Sequence, residues 1–174
     1  MRLIRGTPGH QINHVTRINR DKGQGFRLAA RTRGPALVVM GASGGSTVID
    51  TVAWVHLENG RILCARPRGK GVFYVPGGKR EGAESDLQTL LREVAEELTV
   101  ALRPETVRHT GTYQADHPDG TAVRMSCYTG QYSGTLAASS EIDELAWFGY
   151  ADRPRVPPVD QLLFDDLNAA GQLR

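Results

Sequence analysis

Residues 78–100 read GKREGAESDLQTLLREVAEELTV, and this stretch is the most informative part of the sequence. Within it, Glu93, Glu96 and Glu97 stand at positions i, i+3 and i+4, so on a helix their carboxylates share one side. Three crowded carboxylates repel one another unless a positive charge lies between them. Hard divalent cations such as Mg²⁺ prefer oxygen ligands, and a cation held in this way typically acts on phosphates. The stretch therefore predicts a helix that carries a metal site.

The same stretch contains signals for the start and the packing of this helix. Ser85 and Gln88 form the sequence pattern of a capping box, in which each side chain binds the backbone N–H of the other residue. The helix is predicted to end near residue 98 and to pack on a sheet through one apolar side, with the glutamates flanking it. The residues predicted on that side are Leu87, Leu91, Val94 and Leu98.

The spacing resembles the signature of the Nudix hydrolases, G-x5-E-x7-R-E-U-x-E-E-x-G-U, where U is aliphatic. Eight of its nine fixed positions match, and Thr99 stands where the family has glycine. That glycine is expected to be left-handed at the helix end, where threonine costs about 1 kcal/mol of backbone strain. The replacement of this glycine by Thr99 removes no metal ligand, so it affects only the geometry of the helix end. The alternative is a solvated acidic helix face, which the specific spacing disfavours.

The resemblance implies which groups bind the metal. Glu93, Glu96 and Glu97 correspond to the metal-binding glutamates of the family, with Glu97 usually central. The backbone carbonyl of Gly77 corresponds to a further metal-facing group. A Pro-Gly-Gly turn at 76–78 is physically reasonable there, because side chains would block the approach of phosphate and metal to the backbone. Mg²⁺ is the implied ion, with Mn²⁺ as the alternative.

Arg92 and Glu84 are expected to support this site. Arg92 adjoins Glu93 and precedes Glu96 by four residues, so its guanidinium could orient a carboxylate for the metal, and we count it among the predicted catalytic residues. The alternative is a surface ion pair worth at most about 1 kcal/mol. Glu84 is expected to support the metal directly or through a water, or else to stabilise the start of the helix.

The implied mechanism is attack of water on a phosphoanhydride phosphorus, and a carboxylate must take the proton of that water. Glu97 and Glu96 are candidates within the signature. Glu141 is the candidate outside it, because it lies six residues before Trp147 and resembles the position of a catalytic acid in the MutT group. Glu144 is its rival, and either residue could be an ordinary loop charge.

Substrate contacts are predicted at two basic residues and one acidic residue. Arg66 ends a predicted strand, and Lys79 follows the glycine pair, as lysine often does in MutT-like members; both are predicted to bind phosphate. Arg68 and Lys70 are instead expected in a solvated loop. Asp160 follows a proline pair near the last helix, where MutT-like enzymes read the purine edge. The alternative is that Asp160 only stabilises the N-terminus of that helix.

The leading hypothesis is a Mg²⁺-dependent nucleoside triphosphate pyrophosphatase that releases nucleoside monophosphate and pyrophosphate, with an oxidised purine such as 8-oxo-dGTP as a candidate substrate. One alternative is a hydrolase of another nucleoside diphosphate derivative, such as a nucleotide sugar or ADP-ribose. The other is a non-catalytic binding or regulatory module with the Nudix fold. The expected partner is a small nucleotide, with neither a membrane nor nucleic acid, and the expected state is a monomer or homodimer in the cytoplasm.

Charge divides the chain into two parts. Residues 1–47 contain eight Lys or Arg and one acid, a net charge of +7, whereas residues 48–174 contain 13 basic and 18 acidic residues, a net charge of −5. Residues 1–46 are predicted to be a basic, flexible N-terminal extension, whose removal through residue 45 should leave an active enzyme. Alternatives for it are a nucleic-acid arm and an organelle-targeting segment.

Residues 47–174 are predicted to form the Nudix hydrolase domain. Its fold class is α/β of the α+β type, a Nudix-like mixed sheet sandwiched between helices. Strands are predicted at 48–57, 61–65, 72–75, 107–115, 121–132 and 145–150, and a last helix at 157–167. Cys64 and Cys127 are expected to be reduced core residues. No apolar run approaches the roughly 18 residues that a membrane span needs.

Overall fold

The computed structural model describes residues 48–116 and 120–174, so the expectations for residues 1–46 lie outside it. In chain order the strands and α-helices of the described part are β1 (Val48–Trp54), β2 (Leu57–Glu58), β3 (Arg61–Pro67), β4 (Gly77–Lys79), α1 (Asp86–Leu98), β5 (Ala101–Leu102), β6 (Arg108–Asp116), β7 (Ala122–Thr129), β8 (Tyr132–Ser133), β9 (Ile142–Phe148) and α2 (Pro158–Ala169). Short 3₁₀ helices cover Pro104–Thr106 and Tyr150–Arg155. None of these helices is long and apolar enough to cross a membrane.

The strands form two main sheets. The first has the order β4-β1-β7-β6 and is mixed, because β1 and β7 are parallel while the other pairs are antiparallel. The second is antiparallel and has the order β2-β3-β9. The short strands β5 and β8 pair separately. This combination of a mixed sheet with helices confirms the predicted fold class.

Strand β1 lies between two hydrophobic cores, because successive side chains of a strand point to opposite faces. Val52 and Trp54 belong to the core that includes the buried side of α1. Ala53 and Val55 belong to the core that includes the buried side of α2. The two helices therefore cover opposite faces of β1, and the mixed sheet is sandwiched between them.

The predicted capping box at the start of α1 is confirmed. The N–H of Gln88 donates to Ser85 Oγ at 3.3 Å, and the N–H of Ser85 donates to Gln88 Oε1 at 2.9 Å. The predicted apolar side was wrong at one position, since Leu90 is fully buried whereas Leu87 is 37% exposed. Residues 90, 94 and 98 are four apart and follow one side of the helix, while Leu87 lies on the first turn and stays at the surface.

Thr99 ends α1 in the left-handed conformation that the sequence predicted, with φ 60° and ψ 18°. A β-branched residue is unfavourable in that conformation. Two hydrogen bonds hold it there: the Thr99 N–H donates to the carbonyl of Ala95 at 3.2 Å, and its hydroxyl donates to the carbonyl of Thr135 at 3.0 Å. The hydroxyl contact offsets part of the backbone strain and would be lost with glycine at this position.

The predicted strands around the glycine pair need correction. The strand predicted at 48–57 stops at Trp54, and the strand predicted at 72–75 does not form; only Tyr74 makes an isolated bridge, to Ala65. Strand β4 begins instead at Gly77, directly after this segment, and pairs with β1. The physical reason is that the N–H of Val75 donates to a side chain of α2 rather than to a neighbouring strand.

Candidate active site

A cavity of about 570 Å³ is lined by residues of both main sheets and of α2. The apolar part of its lining includes Ile49, Val123, Met125 and Val159. The polar part brings together several of the residues singled out by the sequence, which are Gly77, Lys79, Glu97, Glu141 and Asp160. Two acids of α1, Glu93 and Glu96, are not part of this lining.

Glu97 is the most deeply buried acid of the signature, with only 6% of its surface exposed. Its Oε2 accepts the N–H of Gly77 at 3.0 Å. Burial, together with the charges of Glu93, Glu141 and Glu96, raises the pKa of Glu97 to about 8, although the hydrogen bond from Gly77 lowers it. Ionised Glu97 therefore lies in surroundings that favour a positive partner.

The two glycines before α1 allow the backbone and the glutamates to approach closely. Gly77 has φ 141°, and a Cβ atom there would overlap the carbonyl oxygen of Val52 and lie 2.9 Å from the Cα of Ala53. A Cβ at Gly78 would overlap the carboxylate of Glu93. Gly77 is therefore required by its contact with the backbone of β1, whereas a side chain at Gly78 would displace the carboxylate of Glu93 on α1.

Arg92 joins the signature helix to the strand that follows the glycine turn. Its Nε and Nη2 donate to the two carboxylate oxygens of Glu84 at 2.9 and 2.8 Å, and its Nη1 donates to Glu93 Oε1 at 2.9 Å. Nη2 also donates to the carbonyl of Lys79 at 3.1 Å. These contacts raise the pKa of Arg92. Glu96 is more distant, with its Oε2 3.8 Å from Nη1.

The carboxylate of Glu84 accepts several hydrogen bonds from residues around the start of α1. Besides binding Arg92, its Oε2 accepts the N–H of Glu81 and the hydroxyl of Thr89, each at 3.0 Å. The hydrogen bonds from Arg92, followed by the one from the Glu81 backbone, hold the pKa of Glu84 at about 2. Glu84 is thus a permanently charged partner of Arg92.

The structure separates the two rival acids that lie outside the signature. Glu141 lines the cavity together with Glu97, and it contributes to the raised pKa values of Glu93 and Glu97, for which burial is the main cause. Glu144 lies on β9, where its carboxylate binds Arg66 at 2.7 Å. The turn that carries Glu141 is fixed to the end of α1, because the N–H of Ser139 donates to the carbonyl of Glu97 at 3.0 Å.

The basic residues are arranged differently from the prediction. Arg66 does not line the cavity; its guanidinium binds Glu144 and lies 3.4 Å from Asp143. Lys79 lines the cavity, and so does Lys70, which the sequence assigned to a solvated loop. Lys70 is exposed, as expected of a loop lysine, but this loop runs along the cavity. The turn residues Gly69 and Gly71 on either side of it are the sequence signal that could have indicated this tight loop.

Asp160 is a buried acid in the first turn of α2, with 2% of its surface exposed. Its Oδ1 accepts the N–H of Val75 at 2.8 Å, which ties α2 to the segment before the glycine turn. Burial raises the pKa of Asp160 to about 7. The Asp160 side chain thus links α2 to Val75 and also lines the cavity.

Comparison with known proteins identifies the family. The family model for the NUDIX domain matches residues 47–166. The solution structure of the E. coli ORF135 protein is 30% identical in sequence, with a TM-score of 0.59; the match covers 75% of this chain and 97% of that chain. The match therefore extends over nearly the whole length of the E. coli protein.

Two further solved structures share the fold at lower identity. A MutT NUDIX hydrolase from Burkholderia pseudomallei is 20% identical with a TM-score of 0.60, and the match covers 69% of this chain and 98% of that chain. The MutT protein from Methanosarcina mazei Go1 is also 20% identical, with a TM-score of 0.61 and coverage of 74% and 99%. Because the NUDIX family model matches more than half of its length, the chain belongs to the Nudix hydrolase family, whose members hydrolyse nucleoside diphosphates linked to another group.

Proposed function

We propose that residues 47–174 form a Mg²⁺-dependent catalytic domain that cleaves a nucleoside triphosphate to nucleoside monophosphate and pyrophosphate. The observation that carries this proposal is the composition of the cavity. It combines the acids Glu97 and Glu141 with Lys79 and with apolar walls that end at a buried acid, Asp160. Its volume of about 570 Å³ is within the range of small-ligand sites and suits one nucleotide. An oxidised purine triphosphate such as 8-oxo-dGTP is one candidate substrate.

The donors around Glu97 fit a hard divalent cation. Glu93, Glu96, Glu97 and the carbonyl of Gly77 offer oxygen atoms alone, which suits Mg²⁺ or Mn²⁺. Among residues 48–116 and 120–174, no three acidic, histidine or cysteine side chains are already grouped as a metal site. Glu93 gives its Oε1 to Arg92, which leaves its Oε2 as the oxygen for a cation. We expect Glu84 to act through its hydrogen bonds to Arg92.

The chain's own groups can then assist the attack of water on phosphorus. A bound divalent cation neutralises phosphate charge and lowers the pKa of the attacking water. Glu97 is buried and already accepts the N–H of Gly77, which fixes its orientation. Glu141 is exposed, and its carboxylate forms no hydrogen bond with the described residues. Glu141 is therefore the carboxylate that we propose takes the proton of the water, with Glu96 as the alternative.

Asp160 is proposed to read the base. Its carboxylate gives one oxygen to the N–H of Val75 and retains acceptor capacity toward the cavity. A base whose N–H groups fail to pair with that carboxylate would leave its second oxygen desolvated without a partner, which is the basis for discrimination. Met125 and Val123 supply apolar lining for the faces of the base.

Replacing Asp160 with alanine is expected to remove the preference between purine and pyrimidine triphosphates. The relative kcat/KM values across bases should converge to within about twofold, because no buried acceptor then penalises the wrong base. Turnover of the best substrate should persist, since the acids around Glu97 are unchanged. Unaltered relative kcat/KM values, with reduced stability alone, would assign Asp160 to the fold only.

Asp160 also predicts a pH dependence of stability. Its folded pKa of about 7 lies above the ordinary value of 3.8, so the folded protein binds this proton more tightly than the unfolded chain. The stabilisation is fully present below about pH 4 and is lost as pH rises through 7. Asp160→Asn keeps an acceptor for the N–H of Val75 and cannot ionise. Its stability relative to wild type should rise by about 2–4 kcal/mol between pH 4 and pH 8.

Urea unfolding of the two proteins at several pH values measures this difference. Because all other titrating groups are shared, they cancel when the two free energies of unfolding are subtracted at each pH. A difference that stays constant from pH 4 to pH 8 would show that Asp160 does not titrate in this range.

A turnover panel tests the proposed function. It contains ordinary and oxidised nucleoside triphosphates, ADP-ribose and a nucleotide sugar, each with Mg²⁺, and the products are identified by chromatography. Triphosphates should give the highest kcat/KM, with nucleoside monophosphate and pyrophosphate as products. A higher kcat/KM for ADP-ribose or the nucleotide sugar would contradict the proposed substrate class, and absence of turnover throughout would contradict catalysis.

A further inference from the structure

We propose that Lys70 binds the phosphate chain of the substrate, and that Arg66 holds the loop that presents it. This inference rests on the proposed function, since it names a substrate contact in the same cavity. It replaces the prediction that Arg66 itself binds phosphate.

Arg66 is already occupied by neighbouring acids. Its Nε and Nη2 donate to Glu144 Oε2 at 3.1 and 2.7 Å, and Asp143 lies 3.4 Å away. The guanidinium also lies 5.7 Å from the centre of the Phe73 ring. A phosphate would have to compete with Glu144 and Asp143 for the guanidinium and would be repelled by both carboxylates, so the observed contacts disfavour that role.

The loop after β3 places Lys70 on the cavity through backbone contacts. The N–H of Lys70 donates to the carbonyl of Pro67 at 3.0 Å, which closes a tight turn. Arg66 Nη1 lies 3.5 Å from the carbonyl of Lys70, and the N–H of Arg68 donates to the carbonyl of Glu141 at 2.7 Å. The loop is thus attached both to Arg66 and to the turn that carries Glu141.

The side chain of Lys70 remains available for a ligand. Among the described residues it has no ion-pair or hydrogen-bond partner, although its loop is fixed. Gly69 and Gly71 on either side leave open space, since a Cβ at either position would meet nothing within 4 Å. A lysine in this setting is a mobile point charge that can follow a phosphate group.

The charges that line the cavity support a role for Lys70 in binding phosphate. Of the described residues that line the cavity, Lys70 and Lys79 are the two basic ones, against the acids Glu97, Glu141 and Asp160. The two lysines come from different sheets, because Lys79 ends β4 and Lys70 follows β3. A phosphate chain between them would be neutralised from two directions and shielded from the acids.

Binding measurements on the full chain test this assignment. A non-hydrolysable nucleoside triphosphate with an imido group between the α and β phosphates, and the matching monophosphate, are titrated calorimetrically at fixed free Mg²⁺. Lys70→Gln should weaken triphosphate binding about tenfold and monophosphate binding less than about twofold. Lys70→Arg should restore most of the loss. Arg103→Gln removes an exposed charge outside the cavity and should leave both constants unchanged.

The binding results distinguish a failure of the Lys70 assignment from a failure of the proposed triphosphate hydrolysis. Equal weakening of both ligands by Lys70→Gln would indicate a structural role for Lys70, and wild-type binding of both would exclude it from the site. If the wild-type chain binds neither nucleotide analogue, the triphosphate proposal fails. Inorganic tripolyphosphate then tests phosphate binding by Lys70 without a nucleoside. Weaker binding of tripolyphosphate to Lys70→Gln than to the wild type supports phosphate binding by Lys70. Equal binding to both proteins, or binding to neither, overturns that role.

Discussion

Replacing Glu97 with glutamine is expected to lower kcat by about a thousandfold or more while the fold stays intact. Glutamine keeps the size of the side chain and an oxygen that can accept the N–H of Gly77. It removes the negative charge that lies among Glu93, Glu96 and Glu141. The loss should therefore fall on cation binding and turnover, and be measured as kcat at saturating substrate over a range of Mg²⁺ concentrations.

The stability of the same variant provides a second readout. Burial and like charges raise the pKa of Glu97, so its ionised form destabilises the metal-free protein. Without metal, the thermal midpoint of Glu97→Gln should equal or exceed that of the wild type. Glu105→Gln, an exposed change outside the cavity, is the matched control and should retain full turnover. Wild-type turnover by Glu97→Gln at limiting Mg²⁺ would contradict the assignment of Glu97 to the metal site.

Replacing Gly77 with alanine is expected to destabilise the fold by at least about 3 kcal/mol. The added Cβ would overlap the carbonyl oxygen of Val52, a backbone atom of β1 that cannot move without disturbing the sheet. The φ of 141° is also unfavourable for any residue with a side chain. Urea unfolding measures the effect, and loss of soluble folded protein would be its extreme form.

Two neighbouring glycines serve as controls for this prediction. Gly71→Ala places its Cβ in open space without a positive φ and should leave stability within about 0.5 kcal/mol of wild type. Gly78→Ala meets the carboxylate of Glu93, which can rotate, so that variant should fold but lose activity. A wild-type unfolding midpoint for Gly77→Ala would show that β4 does not approach β1 as closely as described.

The features predicted correctly from the sequence depend on short-range patterns. The capping box of Ser85 and Gln88 and the left-handed Thr99 are set by residues within a few positions of one another. The spacing of the glutamates likewise follows from helical periodicity. These patterns, the order of predicted strands and helices, and the resemblance to the Nudix family together indicated the α+β class before any tertiary contact was known.

The features that the sequence did not reveal depend on contacts between distant residues. The strand predicted at 72–75 fails because Val75 donates to Asp160, 85 positions away. Arg66 lies outside the lining of the cavity and donates to Glu144, which is 78 positions away on β9. The same pair distinguishes Glu144 from Glu141, which the sequence favoured only through its position six residues before Trp147. Each outcome follows from which strands and helices meet in space.

The dependence of turnover on free Mg²⁺ tests whether the acids around Glu97 form a metal-dependent catalytic site. The best substrate of the panel is incubated with the full chain while free Mg²⁺ is varied from none, in the presence of a chelator, to saturation. Release of nucleoside monophosphate should be undetectable with chelator and rise to a plateau as Mg²⁺ is added. An equal rate with and without the cation would contradict the account of the acids around Glu97 as a metal-dependent phosphoanhydride hydrolase site.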